Sequence, residues 1–186
     1  GPTGALPTMP ATGFIGRLRE QTELKALLTP GRCAPVWLTG YDGIGKTALL
    51  SQVAQDLVND GRYEQVVYSS LGRSGVPEAA LSDLGQALIG PDFRLGADAV
   101  PLIEAALRNK ATLVIWDDVA PILYGGSLAL DQPGMVSWYQ SASRIGSQGS
   151  STLCIVTDGV DLPPSARRLA GVQEYRLGAM DDAESL

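Results

Sequence analysis

The sequence predicts an α/β fold, a mostly parallel sheet with helices on both faces. Three observations predict it. Short apolar runs alternate along the chain with longer segments of helical spacing, a pattern that calls for crossover connections between parallel strands. The stretch GYDGIGKT, residues 40–47, lies between one such run and one such helical segment. A later run, LVIWDD, ends on Asp117 and Asp118, and parallel strands present their C-terminal ends to the edge where ligands bind.

The elements follow in order. Residues 1–13, GPTGALPTMPATG, are uncharged and rich in Pro, Gly and Thr, so they read as a flexible linker, with Gly1 and Pro2 read as a cloning scar. The domain is expected over 14–186. In FIGRLREQTELKALL, the residues Leu18, Leu24, Leu27 and Leu28 fall roughly on one helical face, and Pro30-Gly31 ends the helix. Strands are expected at APVWLTG, EQVVYSS, TLVIWDD, TLCIVTD and QEYRL, and helices at KTALLSQVAQDLVND, PEAALSDLGQALIG and AVPLIEAALRNK. The runs VVY and LVIW are apolar at successive positions, as in strands covered on both faces. Glycine-rich stretches LGRSGVP, YGGSLALDQPG and RIGSQGSS mark loops. The final MDDAESL resembles the capped start of a further helix, so the domain reads as cut from a longer protein.

Composition narrows the chemistry. The chain has 186 residues, 45% of them hydrophobic and 18% charged, enough for a core without disulfide or metal support. A formal charge of -6 with scattered basic residues offers no footprint for a nucleic-acid backbone. Histidine is absent, which removes the commonest general base, the commonest zinc ligand and every dyad built on it. Cys33 and Cys154 are far apart, and Cys154 sits in the apolar run LCIV, so a buried free thiol and a reducing compartment are expected. No run approaches about eighteen apolar residues, and neither a membrane span nor a signal peptide is read. The expected location is cytoplasmic.

GYDGIGKT fits G-x-x-x-x-G-K-[ST] between a strand and a helix, the context that a phosphate loop needs. Gly40, Gly43 and Gly45 free the backbone to turn successive N–H groups toward phosphate oxygens at the positive end of the following helix. Asp42, Ile44 and Ala48 belong to the same expected cradle. Lys46 is expected on the β and γ phosphates, as a catalytic as well as a binding residue, and Thr47 on Mg²⁺. Asp117 suits the Mg²⁺ shell and Asp118 the attacking water. Successive strand residues project to opposite faces, so the two aspartates are expected to do different jobs. Thr157, near the end of LCIVT, is placed to sense γ-phosphate from an adjacent strand.

Taken together, FIGRLRE, GYDGIGKT, VVYSSLG, LVIWDDV and YRLGAMDDAESL resemble, in order and spacing, the NB-ARC branch of the STAND class of P-loop NTPases. The resemblance covers about residues 14–186. It implies a three-layer fold whose five-stranded parallel sheet has the order 5-1-4-3-2. It also implies that Phe14, Ile15 and Gly16 flank adenine and that Arg17 contacts the nucleotide. One departure stands out: where this family carries a Thr-Thr-Arg-like triplet, the chain reads Thr157, Asp158, Gly159. The missing sensor arginine implies slow hydrolysis.

The expected function is therefore an ATP/ADP-binding switch domain of a larger signalling protein, with slow Mg²⁺-dependent hydrolysis. Its expected partners are the missing ARC and winged-helix region, the effector and sensor domains, and further copies of the full-length protein in an ATP-bound oligomer. The alternative is a small-molecule kinase or free-standing P-loop ATPase, with Arg167-Arg168 as a cationic lid. A GTPase is excluded by the lack of an Asn-Lys-x-Asp signature after the LVIWDD strand, and a transporter-type ATPase by LSDLGQ, which lacks adjacent glycines.

Overall fold

The structure, a computed structural model, describes Leu6 and residues 17–31, 34–41, 43–71, 78–119, 140–158 and 173–178. Five strands form one sheet: β1 Val36–Gly40, β2 Gln65–Ser70, β3 Thr112–Asp117, β4 Thr152–Asp158 and β5 Gln173–Arg176. Their order is β5-β1-β4-β3-β2, and every pair is parallel. This is the expected order. Helices α1 Leu18–Leu27, α2 Lys46–Asn59, α3 Glu78–Leu88 and α4 Ala99–Asn109 connect or precede the strands.

Strand periodicity divides the core into two layers. Trp37, Val67, Trp116, Leu153 and Ile155 pack with Leu84 of α3 and Ile103 and Leu107 of α4. Val36, Leu38, Ile115, Cys154 and Val156 point the other way and pack with Leu24 of α1 and Leu49, Leu50 and Val53 of α2. Alternate residues of one strand thus serve opposite helical layers, which is why β1, β3 and β4 read as continuous apolar runs. Each fully buried large side chain stabilises the fold by about 1.5–3 kcal/mol. Two local features keep the α3–α4 layer in place. Pro101 stands in the first turn of α4, where its missing N–H removes no intrahelical bond. Gly85 in α3 lies under the Phe93 ring, 2.1 Å from where a Cβ would be.

Three expectations change. Among the described residues, the VVY run lies on an edge strand, β2 pairing with β3 only, and Val66 and Tyr68 are partly covered. Leu18 is 72% exposed, while Leu24 and, just past the helix, Leu28 are fully buried; the apolar packing of α1 comes from its second half, although Glu20 in the first turn is buried too. Residues 140–145, partly within a stretch expected to be a loop, are helical. Ala142 and Ile145 are buried in the α3–α4 layer, and their i, i+3 spacing was the one available signal. Among the described residues no helix is long and apolar enough to cross a membrane. Cys154 is a buried free thiol, its pKa pushed up chiefly by burial, whereas Cys33 lies outside the described residues.

Candidate functional site

The site forms at the C-terminal edge of the sheet. β1 ends at Gly40, whose φ is 152° and where a Cβ would stand 2.9 Å from the Leu177 carbonyl oxygen, so a side chain is excluded by crowding as well as by conformation. Gly43 and Gly45 have φ of 77° and 98°, and Gly45 is the N-cap of α2. The Leu49 N–H donates to the Gly45 carbonyl at 2.9 Å, which leaves the N–H groups of Lys46, Thr47 and Ala48 ahead of the helical ladder. Such an end carries partial positive charge and attracts anions.

Lys46 is 6% exposed, and its ammonium is fully engaged. It donates to the carbonyls of Gly40 and Tyr41, both at 2.8 Å, and pairs with Asp158 Oδ1 at 2.7 Å. The register of the sheet makes that pair: Gly40 of β1 lies beside Asp158 of β4.

Asp117 ends β3, 6% exposed, with three donors on its carboxylate. Thr47 Oγ1 donates to Oδ2 at 2.8 Å, the Tyr68 hydroxyl donates to the same oxygen at 2.6 Å, and the Asp118 N–H donates to Oδ1 at 2.8 Å. Burial raises the Tyr68 pKa, and its bond to Asp117 raises it further, so the hydroxyl stays a donor. Asp118 follows the strand with φ 55° and is exposed. Aspartate tolerates that left-handed conformation better than most residues. The turn removes Asp118 from the strand's alternation, so both aspartates line one pocket instead of facing opposite sides of the sheet.

That pocket has a volume of about 540 Å³ and is lined by Gly43, Gly45, Lys46, Thr47, Ala48, Tyr68, Ser70, Asp117, Asp118, Val156 and Asp158. Ile44 lies beside it, partly buried against the α1–α2 layer. Arg17, left-handed at φ 56° and 2% exposed, donates to the carbonyls of Gly178 at 2.9 Å and Ile44 at 3.1 Å. Thr157 is buried and donates to the Asp158 carbonyl at 3.1 Å; its side chain is not part of the lining, and the next residue is. Phe14, Ile15, Gly16, Asp42, Gly159 and the Arg167-Arg168 pair lie outside the described residues.

Sequence reasoning missed Tyr68, Ser70 and Asp158. Their signals are registers rather than motifs: Ser70 pairs with Asp117, and Asp158 with Gly40. Tyr68 shares the face of Ser70 two residues on.

The residues present fit a phosphate-bearing ligand and a hard cation. Glycine backbone, unpaired helix-start N–H groups and an ammonium suit phosphate, and the Thr47 hydroxyl beside the Asp117 carboxylate suits Mg²⁺. Among the described residues no group of three or more His, Cys, Asp or Glu could hold a metal by itself, so a cation here would also need oxygens of the ligand and of water.

No protein-family model matches the chain. It is 26% identical over 183 residues to an uncharacterised WD repeat-containing protein of Nostoc sp., which covers 87% of this chain and 14% of that protein. It is 24% identical over 164 residues to an uncharacterised protein of Mycobacterium tuberculosis, covering 81% of this chain and 40% of that one. The chain thus spans less than half the length of either relative. Among solved structures, the Aeropyrum pernix ORC2 protein in its ADPNP-ADP complexes superposes with a TM-score of 0.71 at 17% identity, over 95% of this chain and 51% of that one. The ORC1 protein of the same organism, in complex with DNA, gives 0.66 at 16%, over 92% and 47%. Domain III of the Thermotoga maritima replication initiation protein DnaA gives 0.53 at 17%, over 89% and 62%. At these identities the likeness is one of fold. Sheet order, helical layers and the phosphate-loop sequence give the chain the α/β fold of P-loop NTPases.

Proposed function

We propose that this domain binds adenine nucleotide with Mg²⁺ and serves as the ATP/ADP switch of a larger signalling protein of the STAND class, hydrolysing ATP slowly. The observation that carries the reading is the contact between phosphate loop and β3, with Thr47 Oγ1 on Asp117 Oδ2 at 2.8 Å. It joins the residue type that holds Mg²⁺ from the loop to the one that holds it from the strand. Lys46 and the start of α2 bind phosphate, Thr47 and Asp117 hold the cation, and Asp118 orients water from the exposed side. Bound Mg²⁺ neutralises charge on the phosphates.

Two observations support a switch over a free-standing enzyme. Arg17 bonds the phosphate loop at Ile44 and the segment after β5 at Gly178, so a shift of the loop would be felt at both ends of the domain. A two-state element biased by ligand needs such a link. The Nostoc relative is a far longer protein that contains WD repeats, which suits a core domain joined to a repeat sensor.

Calorimetric titration tests the adenine reading, with ATP and ADP expected to bind more tightly than GTP and GDP; equal or tighter guanine binding overturns it. Phosphate release is expected below about 1 s⁻¹, the low end of usual enzyme turnover. Faster turnover, or turnover raised by a small-molecule acceptor, would favour an ATPase or kinase instead.

A further inference from the structure

Lys46 is the one cation lining the pocket among the described residues, and it faces three carboxylates there, on Asp117, Asp118 and Asp158. An ammonium has three protons to donate, and all three are committed: to the Gly40 carbonyl, the Tyr41 carbonyl and Asp158 Oδ1. The two carbonyls are loop backbone. The carboxylate is a side chain on a different strand, brought there by the pairing of Gly40 with Asp158, and it is 39% exposed against 6% for Lys46. It is thus the most easily displaced of the three acceptors, and it carries the kind of charge that a phosphate would bring.

We propose that Asp158 is a specificity-determining residue that competes with nucleotide phosphate for Lys46 and biases the site toward diphosphate over triphosphate. The inference rests on the reading of this pocket as a nucleotide site. ATP carries one more ionised phosphate than ADP and therefore meets more repulsion from a wall of three carboxylates and one ammonium. Asp117 is held by three donors and is offset by the cation it would bind. Asp158 pairs with Lys46 and, among the described residues, with no other cation of the pocket, and loses that partner when phosphate takes it. The domain then favours its ADP state through a charge built into β4.

The test is calorimetric titration of ATP and ADP, each with Mg²⁺ and in chelator, into the parent, Asp158→Asn and Asp158→Glu proteins, with a thermal melt to establish folding. The parent is expected to bind ADP more tightly than ATP, most clearly in chelator. Asp158→Asn keeps the shape and removes the charge, so ATP binding should tighten roughly tenfold relative to ADP. Asp158→Glu should keep the parent's ratio. An unchanged ratio in folded Asp158→Asn, equal tightening of both nucleotides, or weaker ATP binding would each overturn the proposal. Should Asp158→Asn not fold, tighter ATP than ADP binding by the parent in chelator would overturn it alone. If the parent binds no nucleotide at all, the function proposed above fails; if the parent binds and only the ratio is unmoved, Asp158 is merely structural.

Discussion

The two sides of the pocket are built in different ways. The loop side, from Gly40 to Ala48, is a matter of backbone: positive φ at Gly43 and Gly45, a crowded Gly40, and the start of a helix. The opposite side is a matter of side chains from three strand ends, Tyr68 and Ser70 of β2, Asp117 of β3 and Asp158 of β4, together with Asp118 in the turn that follows. Lys46 and Thr47 cross from the first side to the second, through Asp158 and Asp117. On the function proposed above, the difference assigns affinity for phosphate to the loop, and the choice of phosphate state and cation to the carboxylate side.

Substitutions can break that division. The largest effect is expected on the loop side: Lys46→Ala removes a charge-assisted contact worth roughly 1.5–3 kcal/mol, and nucleotide affinity should fall about tenfold or more, with Mg²⁺ or in chelator. Unchanged affinity in the folded variant would mean that the loop does not bind phosphate. Across the pocket, Asp117→Asn should lower affinity about tenfold in Mg²⁺ and less than about twofold in chelator. An equal loss in both media would make Asp117 structural, as its three donors would allow. Asp118→Asn should leave Mg·ATP affinity within about twofold and lower phosphate release several-fold. Parallel losses of binding and turnover in both aspartate variants would erase the distinction between them.

The smallest effect belongs to a residue outside both sides. The Tyr63 hydroxyl donates to the Leu28 carbonyl at 2.5 Å and meets Thr152 Oγ1 at 2.7 Å, fixing the end of α1 against the start of β4. Burial, the largest cause, raises its pKa from 10.0 to about 12. The folded state therefore favours the neutral phenol, and this stability is fully present below pH 10 and lost as pH rises through 12. Tyr63→Phe should lower stability by about 1 kcal/mol at neutral pH and flatten the alkaline limb of the denaturation profile. Nucleotide affinity should not change; a change would extend the site beyond its lining.

How far each side could be read from sequence follows from how it is built. The phosphate loop was legible because it is local: eight consecutive residues, Gly40–Thr47, state the strand end, turn and helix start, whereas the strand order came only from the family resemblance. Asp117 was legible because a fully buried strand ends on it. The premise about Asp118 failed because a left-handed turn follows β3, and nothing in the letters DD marks such a turn. Tyr68 and Asp158 were missed because their roles depend on which strands lie side by side and in what register, a property of the sheet rather than of any one segment. Thr157 was singled out and its neighbour passed over for the same reason: the choice between adjacent strand residues is a choice of face, and the face is fixed by pairing with β1 and β3.

The central claim is that one pocket, made by these two sides, is where nucleotide binds. Its most direct test is titration of isotopically labelled protein with Mg·ADP followed by backbone amide NMR. The account predicts saturable shifts centred on Gly43–Ala48 and extending across the pocket to Tyr68, Ser70, Asp117, Asp118 and Asp158. Saturable binding with shifts centred elsewhere, or no shifts in folded protein at millimolar ADP, would contradict it.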